Sequence, residues 1–377
     1  IAPGWPDPDP EAMEALARRG VMAAGSDSPS MGPIPDLAEP VHLAGLKHGM
    51  VFTEAATGLG ELPETGAFYC VLAPKHQGAV GSEARAFAIV GDPLARTLVE
   101  SARNKRAVDL SVLLSPDLPL AWPGAGVGNH RQPFLTFSFL YMPALGNHQH
   151  IHMFDTHSGT HLVPPSYSLP EKGFDQRTYS PEVQGWLAAY EKKYGPRGSS
   201  DVTVEKVPIG QTCGWARVID VRKLAGTTDR GRWPASPEIG VAELRQYETQ
   251  HGPLKEGDIV LFRSGYSEKC LEPSPRGKAC MSDPLDGNSE GWPAPTPEAI
   301  RYLSTKGIRA VGTDGPTLGG VDPQKAAATY WMLGSQGMVA VEYLANLAAL
   351  PERAYFLFAA VKIAGAHGGH GRAIALY

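Results

Sequence analysis

The chain is poor in charge: Asp, Glu, Lys and Arg make up only 19% of its 377 residues, and the formal balance is −5. So mild an acidic balance gives no footprint for nucleic acid, which needs clustered Lys and Arg to meet its phosphates, and no basic run suggests a membrane surface. Long apolar runs are missing too. None approaches eighteen continuous residues, so no segment reads as a bilayer-spanning helix. Cysteine is scarce, at Cys70, Cys213, Cys270 and Cys280. The last two bracket a turn-rich loop, residues 271–279, that a disulfide could staple, whereas Cys70 and Cys213 have no such neighbour. The sequence starts Ile1-Ala2-Pro3, with no methionine and no hydrophobic signal segment to read. That start and the stapled loop together tilt the expectation toward an exported protein.

What is abundant is glycine, 43 residues, and proline, 34 residues, which favours an enzyme rich in ordered loops over a helical bundle. With 42% apolar residues the chain can bury a large core and has room for two domains. Histidine is concentrated: of twelve, five lie at His148, His150, His152, His157 and His161. Neutral imidazole is the commonest protein ligand for a divalent transition metal, so the chemistry is expected here. If 149–154 is a strand, His148, His150 and His152 project from one face, which fits a solvated polar face better than a ligand set. His157 and His161 are four apart, with Gly159 between them to turn the backbone tightly and Pro164-Pro165 to stop any helix. A strand running into a rigid loop that presents two imidazoles inward is the expectation.

The segment His157-Ser158-Gly159-Thr160-His161-Leu162-Val163-Pro164-Pro165-Ser166-Tyr167 resembles the signature of the cyclase family of metal-dependent hydrolases, which includes kynurenine formamidase and isatin hydrolase. The family pattern is His-x-Gly-Thr-His-x-Asp-x-Pro-x-His, and His157, Gly159, Thr160, His161 and Pro165 fall on it. Further segments are similar in order. They are Val108-Asp109-Leu110-Ser111 with Ala121-Trp122-Pro123-Gly124, then 256–266 with its Gly-Asp strand, then Pro297-Glu298-Ala299 through Val311-Gly312-Thr313-Asp314. Last come 337–347 around Glu342 and the closing strand between Lys362 and Leu376. The resemblance runs from about 105 to 377.

It implies an α/β fold, a mixed sheet curled toward a barrel with outer helices, and a divalent metal, zinc or manganese, held by His157, His161 and Glu342. Glu342 would be a ligand or the base. A carboxylate in the apolar run Met338-Val339-Ala340-Val341 is costly unless paired or bound to a cation. The departures are as specific as the matches. Val163 stands where the family has its ligating Asp, Tyr167 where the motif ends in His, and Tyr330 where a helix usually supplies a His. Tyr167 is a poor base at neutral pH but can donate to a developing oxyanion. In Gly365-Ala366-His367-Gly368-Gly369-His370-Gly371, His367 or His370 is a candidate replacement ligand, as is one of His148, His150 and His152. Trp122, Tyr330, Trp331 and Asp314 are candidates for the substrate pocket, although Asp314 in Asp314-Gly315-Pro316 could equally cap a turn.

Residues 1–104 read as an N-terminal arm and a small added subdomain without a catalytic motif, and 105–377 as the cyclase-like domain. Helices are expected at 10–19, 93–104, 181–194, 240–250, 296–306 and 323–336, and strands at 68–72 and 86–90. The resemblance implies hydrolysis of an amide, lactam, lactone or formamide bond of a small molecule, by a homo-oligomer, dimer or tetramer. Two other readings stand beside it: a metal-free small-molecule-binding or structural subunit, and a metal-dependent lyase or isomerase.

Overall fold

Three helices of the C-terminal part begin the same way, with a side-chain cap followed by proline. Ser180 accepts from the amide of Val183 ahead of Pro181–Tyr194, Thr296 from that of Ala299 ahead of Pro297–Thr305, and Asp322 from that of Lys325 ahead of Pro323–Ser335. Proline at the first helical position costs nothing, because its missing N–H would have had no partner in the helix. The last two helices, together with Val241–His251, join four parallel strands.

The computed structural model describes residues 4–33, 38–91, 93–120, 135–140, 148–153 and 155–377. The central sheet has eight strands: β1 (Ala107–Asp109), β2 (His161–Val163), β3 (Cys213–Asp220), β4 (Ile259–Arg263), β5 (Ala310–Thr313), β6 (Val339–Glu342), β7 (Arg353–Ala360) and β8 (Gly369–Leu376). Their order is β7-β3-β4-β5-β6-β2-β8-β1, and β7 also pairs with β8, which closes seven strands into a mixed barrel-like ring with helices outside. Strands β3 to β6 run parallel, while β2, β7 and β8 are antiparallel to their neighbours. The first residues of β8 pair with β2 and its last three with β1.

Strand alternation sorts side chains into two cores. Val260, Phe262, Val311, Ala340 and Val163 face the helices and pack with Ile300, Leu303 and Trp331. Ile259, Leu261, Ala310, Val339, Val341 and Leu162 fill the barrel with Phe356 and Phe358. Continuous apolar runs such as Ile259-Val260-Leu261-Phe262 are what a strand covered on both faces requires. The alternation also sets the place of two polar residues. Glu342 lies two beyond Ala340 and His161 two before Val163, so both emerge on the helix-facing side at one end of the sheet. Val163, opposite Ala340 and 1% exposed, is a member of that apolar core.

Asp314 fastens β5 to the turn after β4. It is fully buried and accepts from the Ser264 amide (2.9 Å), the Ser264 hydroxyl (2.5 Å) and the Gly265 amide (2.7 Å). Burial dominates over these donors and pushes its carboxyl up to about 6. An acid raised on folding destabilises the native state once it ionises. The penalty is absent below about pH 4, where both states are protonated, grows to about pH 6, and is constant above that. At about 1.4 kcal/mol per pH unit it amounts to about 3 kcal/mol. Asp314→Asn removes the penalty and loses an acceptor. In urea unfolding, the stability of the variant relative to the parent should therefore rise by about that amount between pH 4 and pH 7. A difference that stays flat across this range would contradict the assignment.

By compactness the chain forms two units, residues 1–71 with 86–99, and residues 72–85 with 100–377. The first contains the helices Pro10–Arg18 and Ala38–Leu46 and the parallel pair Ala23–Gly25 with Val51–Thr53, around a core of Met13, Met31, Val41, Ala44 and Met50. In the second, Cys270 and Cys280 form a disulfide across their loop, with Cα atoms 5.5 Å apart. Among the described residues no helix is long and apolar enough to cross a membrane.

Candidate metal centre

The loop into β2 is built so that both of its imidazoles turn the same nitrogen inward. Gly159 has φ +61°, the left-handed region, and a Cβ there would meet Leu114 Cδ2 at 2.5 Å. Only glycine fits such a turn against such a wall. Thr160 locks the next residue, its hydroxyl donating to the Tyr343 carbonyl (2.7 Å) and accepting from the Val112 amide (3.0 Å). His161 Nδ1 then lies 2.8 Å from the Gly159 carbonyl, which can only accept, so Nδ1 holds the proton and Nε2 the lone pair. His157 Nδ1 lies 3.3 Å from Asp155 Oδ1, which sets the same tautomer, and Asp155 also accepts from the His157 amide at 2.6 Å.

Both Nε2 atoms are buried without a hydrogen-bond partner. The two rings are 5.2 Å apart and inclined at 77°. Glu342, directly opposite His161 in the β6–β2 register, brings Oε2 to 3.2 Å from His161 Nε2, outside hydrogen-bond geometry. Its other oxygen, Oε1, is taken by the Leu318 amide (2.8 Å) and the Tyr330 hydroxyl. Three donor atoms at one cavity wall therefore have their outer partners satisfied, His157 Nε2, His161 Nε2 and Glu342 Oε2, and of these His161 Nε2 and Glu342 Oε2 are the close pair. This is the arrangement second-shell partners give to metal ligands, and the donor set, two imidazoles and a carboxylate, suits a zinc-class cation.

The three border a cavity of about 320 Å³ with Asp155, Tyr167, Tyr330, Met281 and Tyr343 among its walls. The Tyr167 ring lies 4.9 Å from His157 and 5.1 Å from Tyr330. Burial, and then the Glu342 and Asp155 carboxylates, push its phenol up to about 12, so it keeps its proton at neutral pH. Tyr330 is pushed up as well, by burial and then by Glu342. A larger cavity, about 530 Å³, lies beside Trp186, Tyr190 and Glu298, and no histidine lines it.

The remaining sequence candidates are placed elsewhere. Trp331 packs in the core under the helices, edge-on to Tyr190 and beneath the Arg197 guanidinium. Asp314 is the turn fastener described above and is absent from the cavity wall. His367 is exposed, with Nδ1 3.0 Å from the Ser166 carbonyl, and His370 lies beside Glu83. Neither histidine lines the cavity that His157, His161 and Glu342 border. Trp122 lies outside the described residues. Sequence reasoning missed Asp155, whose signal was only its place two residues before His157, and Gly368. A Cβ on Gly368 would sit 2.5 Å from both Cε1 and Nε2 of His157, yet its φ is not left-handed. Gly368→Ala should thus leave the backbone at ease and push the His157 ring aside. Zinc affinity measured against a chromogenic chelator is expected to fall about 10- to 100-fold. Unchanged affinity would remove His157 from the donor set.

The comparisons bear on the family and the fold. A family model described as "Putative cyclase" matches residues 108–319. Isatin hydrolase of Roseibium aggregatum is 30% identical over 228 residues, 58% of this chain and 71% of that protein. Isatin hydrolase A from Labrenzia aggregata, solved with benzyl benzoate, superposes with a TM-score of 0.54 at 25% identity, covering 74% of this chain and 98% of that one. Isatin hydrolase A from Ralstonia solanacearum gives 0.56 at 23% identity, covering 77% and 99%, and bears on the fold.

Proposed function

Since this chain belongs to the cyclase family, its model matching more than half of the sequence, we propose that it is a metal-dependent hydrolase of a small molecule carrying an amide, lactam, lactone or formamide bond. The observation that carries this reading is the set of buried, inward-turned atoms His157 Nε2, His161 Nε2 and Glu342 Oε2. His157, His161 and Glu342 would hold the cation, zinc or manganese, and Val163 and Tyr330 leave it fewer protein ligands than the family pattern supplies. When bound, a divalent cation polarises a carbonyl and makes water a better nucleophile at neutral pH.

The chain's own residues do the rest. Asp155 and the Gly159 carbonyl hold the two imidazoles in one tautomer. Tyr330 and the Leu318 amide orient Glu342. Tyr167, protonated at neutral pH, has a hydroxyl to give to the oxyanion that forms as the carbonyl is attacked. The cavity volume is at the small end of ligand sites, which suits a compact ring compound. The likeness to isatin hydrolases, enzymes named for a cyclic amide, supports lactams as the first class to try.

The test is a screen of lactams, formamides and lactones in ¹⁸O-labelled water, with the chain loaded with zinc or manganese and again after chelation. One labelled oxygen per product, lost on chelation and restored by metal, is expected. Turnover without labelled oxygen would point to a lyase or isomerase. Equal turnover after full metal removal would overturn the reading.

A further inference from the structure

A second group of ligand-type side chains lies outside that centre. His76, Glu83 and His370 bring one donor atom each to within 4.8 Å of one another. They come from different parts of the fold. His76 sits on backbone pinned to Leu114 by the Leu114 amide to the Lys75 carbonyl (2.7 Å) and the Gln77 amide to the Leu114 carbonyl (3.0 Å). His370 is the second residue of β8 and stands directly opposite His161 of β2. Glu83 reaches in from the segment between 76 and 85. The two imidazole side chains are 1% and 8% exposed, while Glu83, at 48%, keeps a side open to solvent.

The spacing is that of ligands around one ion. Glu83 Oε1 is 3.5 Å from His76 Nε2 and 3.1 Å from His370 Nε2. Two ligands at ~2.0–2.1 Å from a tetrahedral zinc stand about 3.3–3.4 Å apart. The His76 and His370 rings are inclined at 77° with centres 6.1 Å apart, so they converge on the carboxylate without stacking on each other. The His76 ring is held in turn by His152, stacked on it at 4.4 Å and 5°, with His150 stacked 6.0 Å beyond. Two ligands on pinned backbone, one of them buttressed, and a third arriving from a solvent-facing segment make a site that is largely formed before the ion arrives.

We propose that His76, Glu83 and His370 form a second divalent-cation site, of the zinc class, with a fourth position open to water. Two imidazoles and one carboxylate select a borderline transition cation over calcium or magnesium, which prefer all-oxygen shells. Because its ligands come from both ends of residues 72–377, a bound cation would tie the segment around Glu83 to the barrel.

Zinc alone is the probe, titrated into the metal-stripped full chain against a chromogenic chelator. Four proteins are compared: the parent, Glu83→Gln, His76→Ala with His370→Ala, and His157→Ala with His161→Ala. The expected result is one zinc equivalent that weakens at least tenfold in Glu83→Gln and disappears in the His76 and His370 variant. The same equivalent should persist when His157 and His161 are replaced. Glu83 is half-exposed and outside the core, so its variant decides even if the double histidine variant fails to fold. The proposal is overturned if Glu83→Gln takes up the same number of zinc ions at the same affinity as the parent. Loss of the His157 and His161 equivalent alone would touch only the proposed function.

Discussion

Glu342→Gln is expected to lower hydrolysis on the order of 10³-fold or more, a loss of about 4 kcal/mol of transition-state stabilisation, with the fold intact. Glutamine has the size of glutamate but not its symmetry. With its amide nitrogen on the Oε1 side it would point donors at the Leu318 amide, which can only donate. With that nitrogen on the Oε2 side it would donate to His161 Nε2 and occupy the lone pair that faces the cavity. Neither rotamer leaves three free donor atoms. Stability should separate this from simple damage, because Glu342 is 2% exposed and a buried charge is expensive without a counter-ion. Stripped of metal, the variant should be at least as stable as the parent. With zinc at about 100 times its dissociation constant for this centre, the centre should add about 2.7 kcal/mol to the parent and much less to the variant, beyond whatever zinc bound elsewhere adds to both. Thermal melts with chelator and with zinc give both numbers, and a variant stabilised by zinc as much as the parent would take Glu342 out of the centre.

Much of this site was written locally in the sequence. The His-x-Gly-Thr-His run was legible because each residue answers a local demand: a left-handed turn at Gly159, a backbone clamp at Thr160, two imidazoles one loop apart. Glu342 announced itself by its cost in an apolar strand. Helix starts were legible wherever a capping Ser, Thr or Asp preceded proline, and the helix at Pro181–Tyr194 has the bounds its sequence suggested. Adjacent aromatics were harder. Tyr330 and Trp331 are neighbours on one helix, hence about 100° apart around it, so only one of them can face the cavity. Their identities alone do not tell which, and it is Tyr330.

What stayed hidden depends on pairing over long distances. His370 looked like a spare ligand for His157 and His161, being a histidine among glycines near a closing strand. The β2–β8 register puts it opposite His161, and its imidazole meets Glu83 and His76, which belong to a stretch with no recognisable motif. Val163 was legible as a lost ligand but not as a core residue. That role follows from Ala340 across the strand and the helices over both, neither of which is near it in sequence.

Replacing His157 and His161 together by Ala should remove the metal of the candidate centre and reduce hydrolysis on the order of 10⁴-fold, about 5 kcal/mol. The structural cost should be small, for a reason specific to this pair. Each Nε2 is buried with no hydrogen bond to lose, so deleting the imidazoles also removes two unsatisfied polar atoms from the interior. Against that stand the lost contacts to the Gly159 carbonyl and to Asp155 and the lost packing of two rings. With chelator present, the parent and the variant should therefore unfold within about 2 kcal/mol of each other. With zinc present, the gap should widen by the binding free energy that the parent alone collects. Histidines kept only for packing would behave in the opposite way, with a large gap in chelator that zinc leaves unchanged. Elemental analysis of both proteins, purified without added metal or chelator, completes the measurement. A variant that retains the same metal at the same stoichiometry as the parent would show that His157 and His161 do not hold it.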